Sequence, residues 1–194
     1  IAPAAVLLAF NLAPEGSSLA ALRDVRYVGR LGRVLETEGG TGKVRVLIWQ
    51  GAIDLIASDP TRLLVGHGPE SMHVAYNPFY PPDLAHYESR NASPDRSHNE
   101  TFDVLVTCGL LGFLAYLALF TLCFQFALAW LGLIASTRER NLFLALWFAG
   151  GLLAVAGFYV WRGNMAFLGV ALPIGLIAGL VSFLVLRAFA GWQV

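Results

Sequence analysis

Ser97-His98-Asn99-Glu100-Thr101-Phe102-Asp103 runs straight into Val104-Leu105-Val106-Thr107-Cys108-Gly109-Leu110-Leu111-Gly112. A polar segment with one histidine stands at the start of a long apolar run. Ser97 and Glu100 have the S-x-x-E spacing of a reciprocal helix cap. That spacing predicts a helix capped by Ser97, with His98 at its first position. The positive end of the helix dipole disfavours an imidazolium there and favours a neutral, proton-accepting ring. Taken from His98 to about Leu133, the helix is ~54 Å long at 1.5 Å per residue. The hydrocarbon core of a bilayer is about 30 Å thick, so the first turns protrude. His98, Phe102, Leu105, Gly109, Gly112 and Tyr116 fall on one stripe. Small residues there let a neighbour approach closely, which turns His98 toward the protein.

Composition supports this reading. The chain of 194 residues is 57% hydrophobic and 13% charged, with a mean hydropathy of +0.63. Soluble domains carry about 25% charged residues, so this is the composition of a membrane protein. The net charge is zero. From Glu15 to Asp103 there are nine Lys/Arg and twelve Asp/Glu; from Val104 onward there are four Arg and one Glu. A polar half therefore precedes a membrane half. Cys108 and Cys123 lie 15 positions apart in one apolar run. On one helix that is about 22 Å, too far for a disulfide.

The expected fold is an all-α integral membrane protein. Three full transmembrane helices span about 98–133, 141–160 and 165–186, and residues 1–14 form the end of a fourth. The chain begins at Ile1 without a charged region, which reads as a fragment of a longer protein rather than a signal peptide. Residues 15–97 form a large extracytoplasmic loop with short amphipathic helices. Leu19 to Glu36 is one of them, with Arg23, Arg26, Arg30 and Arg33 on one face. Such a face suits an anionic membrane surface or a phosphate. Val44 to Ser58 is another, with Trp49 at an interface position and Asp59-Pro60 at its end. Gly66-His67-Gly68 is a tight turn and a weak phosphate-loop signal. Ser71 to Arg96, rich in Pro, Tyr, His and Asn, reads as an irregular loop. Arg138 and Arg140 in a short loop share a side with Arg187, opposite Arg162. The positive-inside rule puts that side in the cytoplasm and His98 outside.

The histidines are His67, His73, His86 and His98. Their spacing fits no zinc motif, and no metal is expected. No G-x-S-x-G hydrolase elbow is present. The order of the remaining motifs is more specific. Arg45 stands four residues ahead of Trp49. Asp59-Pro60, Gly66-His67-Gly68-Pro69, a long loop, His98-Asn99 and Gly109-Leu110-Leu111-Gly112 follow. This order, over roughly Arg45 to Leu133, resembles the C-terminal part of the O-antigen ligase / O-antigen polymerase family. Where that family often carries an acidic residue two places before the first glycine, this chain has Thr107.

The resemblance implies a multi-pass protein of the bacterial inner membrane. It implies transfer of a glycan from an undecaprenyl diphosphate carrier to a glycan or lipid-linked acceptor, without metal or other cofactor. Membrane lipids are its surroundings, and nucleic acid is not a partner. His98 is the expected general base and Arg45 the expected diphosphate clamp, as arginine binds phosphate bidentately. Arg90, Arg96, Arg30 and Arg33 are expected second phosphate contacts, with Gly66, Gly68 and Asn99 as further substrate-binding positions. The competing expectation is a non-enzymatic transport or polysaccharide-export module. Such a module more often holds ionisable residues within its spans.

Overall fold

A computed structural model describes residues 6, 9–25, 27–31, 40–89 and 92–189. Among them every regular element is helical. The α-helices are α1 (Ser18–Ala21), α2 (Val28–Leu31), α3 (Gly40–Ala57), α4 (Pro60–Val65), α5 (Met72–Ala75), α6 (Glu100–Trp130), α7 (Thr137–Arg162) and α8 (Leu168–Phe189). The chain forms two compact units, Ile1–Val46 and Leu47–Val194, and the division falls inside α3.

In the first unit, the expected helix Leu19–Glu36 is interrupted. After α1, capped by Ser17, comes a 3-10 turn at Leu22–Asp24, and Val25 is extended. Tyr27 has a φ of 75°. The guanidinium of Arg23 explains the interruption. One nitrogen donates to the carbonyls of Phe10, Asn11 and Ala13 at 2.8, 2.9 and 2.9 Å. These belong to the end of a preceding helical segment, whose last carbonyls need donors. The Arg23 guanidinium is thus committed to these carbonyls. Arg30 lies in α2, while Arg26, Arg33 and Arg90 lie outside the described residues. Most of the expected helix end at 1–14 also lies outside them, apart from a helical segment at 9–12.

Among the described residues of the second unit, three helices are long and apolar enough to cross a membrane: α6, α7 and α8. Their limits differ from the sequence expectation because the caps differ. Asn99, not Ser97, caps α6, accepting from the amides of Thr101 and Phe102. Ser136 caps α7 in a reciprocal box with Glu139, and Gly163 ends it in the left-handed conformation. The expected charged loop 136–140 is therefore the cap and first turn of α7. The Glu139 carboxylate also meets the Arg187 guanidinium at 2.9 Å, tying the start of α7 to the end of α8.

Glycines let α7 and α8 pack closely. A Cβ on Gly150 would collide with Gly175 and Gly179, and one on Gly179 with Leu146. Small residues at such crossings bring backbones together, as expected for helices in lipid. Phe143, Trp147, Leu176 and Phe183 form the core between α7 and α8, with Leu128 and Ile134 beside them.

The second unit also contains the end of α3 and the stretch from α4 to His98. Leu47, Ile48, Trp49, Ala52 and Leu55 are buried. Trp49 is therefore a core residue rather than an interfacial anchor. The stretch 71–96 is less irregular than expected. It is built from α5 and two 3-10 turns, Asn77–Phe79 and Pro82–His86. Tyr76 and Leu84 are fully buried in it. The Tyr76 hydroxyl donates to the Ile48 carbonyl at 3.3 Å, and burial raises its pKa.

α6 is one helix in outline but is broken at Gly109, whose φ is 64° and ψ −168°. The break leaves carbonyls of the preceding turn without helical partners. The glycine turn after α4 supplies them. The His67 amide donates to Val106 at 2.7 Å and the Gly68 amide to Thr107 at 2.9 Å.

Candidate functional site

The start of α6 is fixed from three sides. The Ser97 amide and hydroxyl both donate to the Asp103 Oδ1 at 2.7 Å. The Trp49 indole N–H donates to the Ser97 carbonyl at 3.0 Å. The Trp49 ring also packs against Phe102 and Phe167. From α8, the Gly169 carbonyl accepts from Thr101 Oγ1 at 3.4 Å. The Asn99 amide lies where a Cβ of Gly169 would stand. Ser97 is fully buried, so its partners are structural necessities.

His98 occupies the corner that these contacts create. Its φ is 55°, in the left-handed region, and its side chain is exposed. The expectation that His98 opens the helix and points into the protein is corrected on both points. Asn99 is among the best N-cap residues, and its cap moves the helix start to Glu100. His98 then lies outside the first turn, where the dipole acts. What results is an exposed imidazole on a pinned corner, at the end of the bundle where α6 and α8 begin and α7 ends.

The other candidates are dispersed. Arg45 is exposed but belongs to the first unit, whereas His98, Arg96, Asn99, Gly66 and Gly68 belong to the second. Arg96 is exposed and lines a cavity of about 60 Å³ with Glu70, Asp95 and Asp103. A space of that size holds a few waters at roughly 10–15 Å³ each, not a diphosphate. The amides of Gly66 and Gly68 are already paired, to Arg62 and Thr107. These two glycines thus serve the backbone crossing at Gly109 rather than a phosphate. The amide oxygen of Asn99 is likewise occupied by its cap bonds. Among the described residues, no three His, Cys, Asp or Glu side chains gather as metal ligands.

Asp103 is the important residue that sequence reasoning passed over. Its signal was available: a carboxylate four residues after a strong N-cap is one turn from the cap. Asp103→Ala leaves the Ser97 amide without its acceptor, while the Ser97 hydroxyl keeps the Asn99 carbonyl at 2.9 Å. The expected loss is about 1–3 kcal/mol, read as a lower unfolding temperature in detergent. Asp103→Asn keeps an acceptor oxygen and should lose less than half as much.

His67 makes a second, pH-dependent prediction. Burial lowers its pKa; Arg62 lowers it further, while Asp59 and the Leu55 carbonyl oppose the shift. Its Nε2 is buried without a hydrogen-bond partner. The unfolded chain, with His near its usual value of about 6.5, binds a proton before the folded one does. Stability should therefore be fully present above about pH 6.5 and fall as the pH drops below it. Unfolding temperatures of wild type and His67→Gln, measured between neutral and mildly acidic pH, test this. The wild-type decline should be the steeper.

No protein-family model matches the chain, and no curated protein or solved structure is significantly similar to it.

Proposed function

We propose that this chain belongs to a bacterial inner-membrane glycosyltransferase of the ligase or polymerase type. It moves a glycan from an undecaprenyl diphosphate carrier to an acceptor sugar hydroxyl. The observation that carries this reading is the exposed imidazole of His98 on a corner held by Ser97, Asp103 and Trp49. That corner lies at one end of three helices apolar enough to span a bilayer. A base for a lipid-anchored substrate belongs at such a level.

In this reaction the acceptor oxygen attacks the anomeric carbon as His98 takes its proton. The bond from that carbon to the diphosphate oxygen breaks, and its electron pair leaves on the diphosphate. Displacement of this kind inverts the anomeric centre. The guanidinium of Arg45, exposed in the first turns of α3, is the proposed clamp for the diphosphate. The large loop of residues 15–97, which carries Arg45 and leads into His98, is proposed to be extracytoplasmic. The absence of Asp, Glu, Lys, Arg and His from Val104 to Leu133, Asn141 to Val160 and Met165 to Leu186 favours surface chemistry over transport.

The test uses the full-length protein in nanodiscs with a glycosyl diphospho-undecaprenol donor and glycan acceptors. The expected product is an extended or ligated glycan together with free undecaprenyl diphosphate. No product, combined with glycolipid movement across proteoliposomes, would replace this reading with transport.

A further inference from the structure

An apolar groove of about 440 Å³ lies between α6, α7 and α8. Phe113, Tyr116 and Phe120 of α6 form one wall; Trp147 of α7 and Leu172 and Leu176 of α8 complete it. Two features shape it. The break at Gly109 alters the course of α6, and Pro173 interrupts the hydrogen-bond ladder of α8. Phe120 and Ile177 are exposed on the groove's margin, so it is open along one side. Its volume lies within the roughly 300–1,000 Å³ of small-molecule sites.

One end of the groove is polar. Asn99, Glu100 and Thr101 line it, directly beside His98. Among the described residues that line the groove, Glu100 is the one charged side chain. The α6 amides that could attract an anion there, those of Thr101 and Phe102, are already bonded to the Asn99 oxygen. A phosphate at this mouth meets a carboxylate and few free donors. A hydroxyl meets an acceptor. The shape asks for an apolar chain, and the mouth asks for an uncharged, hydroxyl-bearing head.

We infer that this groove seats the apolar chain of a lipid-anchored acceptor whose headgroup is uncharged and rich in hydroxyls. The groove thereby presents an acceptor hydroxyl at the His98 corner and leaves the anionic donor to the arginines elsewhere. The word acceptor rests on the proposed transfer reaction. The binding preference does not, because it can be measured without turnover.

The experiment uses the full-length protein in phosphatidylcholine nanodiscs. Two probes share one diazirine-bearing alkyl chain; one carries a glucosyl headgroup, the other a phosphate. After photolysis, labelled peptides are mapped by mass spectrometry. The glucosyl probe should label Phe113–Phe124 and Gly169–Ile177 at least about threefold more than the phosphate probe. Glu100→Lys should reverse that order, and Leu172→Trp, which fills the groove, should remove labelling by both. Equal labelling, a phosphate preference in wild type, or labelling that survives Leu172→Trp overturns the inference. The wild-type headgroup comparison decides the matter even where a variant fails to fold. Lost preference with intact glycan transfer removes the groove's role alone; lost transfer with intact preference removes the chemistry alone.

Discussion

Gly109→Ala is expected to destabilise the protein by at least about 3 kcal/mol, enough to lose most of the folded material in detergent. Two costs combine. The backbone at Gly109, with φ 64° and ψ −168°, lies in a region that is essentially glycine-only. Gly66, with φ 78° and ψ 178°, lies there too. Forcing a side chain into that region costs about 1–3 kcal/mol. The second cost is space. A Cβ on Gly109 would run into the backbone of Leu64 and Gly66, and one on Gly66 into Thr107 and Cys108. These are main-chain atoms of elements that hold each other, so they cannot yield as a flexible side chain would. Gly66→Ala should therefore match Gly109→Ala. Gly163 provides the control. It also has a positive φ, of 68°, but nothing lies within 4 Å of its added Cβ. Gly163→Ala should cost only about 1–2 kcal/mol, the backbone strain alone. Unfolding temperatures of the three variants check this. A Gly109→Ala variant as stable as Gly163→Ala would show that the crossing is not a fixed lock.

The three spans were legible because each is a long run of apolar residues, and a soluble fold has no use for three of them in succession. Their ends were not, because caps compete locally. Ser97 and Asn99 both suit a cap. The choice fell to Asn99 because Ser97 is claimed by Asp103 and Trp49, and one of those partners lies far away in sequence. The break at Gly109 was hidden for a similar reason. A glycine in an apolar run reads as a packing contact; its partner Gly66 is brought to it by α4. The expected helix from Leu19 is not continuous, because Ser18–Ala21 gives way to a 3-10 turn and an extended Val25, and Arg23 serves the carbonyls of Phe10, Asn11 and Ala13. Trp49 reads as an interface residue and is a core residue. Of the site, His98 and its place at the polar end could be read from the chain. Its exposure could not, because a two-residue shift of the helix start changes where the side chain projects. Arg45 and His98 lie in separate compact units, and their joint action rests on the proposed reaction.

Replacement of His98 carries the largest expected effect on activity. A positioned general base contributes about 10²–10⁴-fold to rate. The choice of substitute matters, since His98 has a φ of 55°. Asparagine tolerates that conformation better than alanine does, so His98→Asn removes the base with little backbone strain. The exposed side chain leaves no cavity when it is replaced. Activity and stability should therefore separate: the unfolding temperature stays near wild type while transfer collapses.

The most direct measurement is turnover of a glycosyl diphospho-undecaprenol donor by full-length wild type and His98→Asn, at equal amounts of folded protein. The rate of the variant is expected to fall by about 10²–10⁴-fold with product of unchanged identity. Transfer by His98→Asn at the wild-type rate would contradict the account.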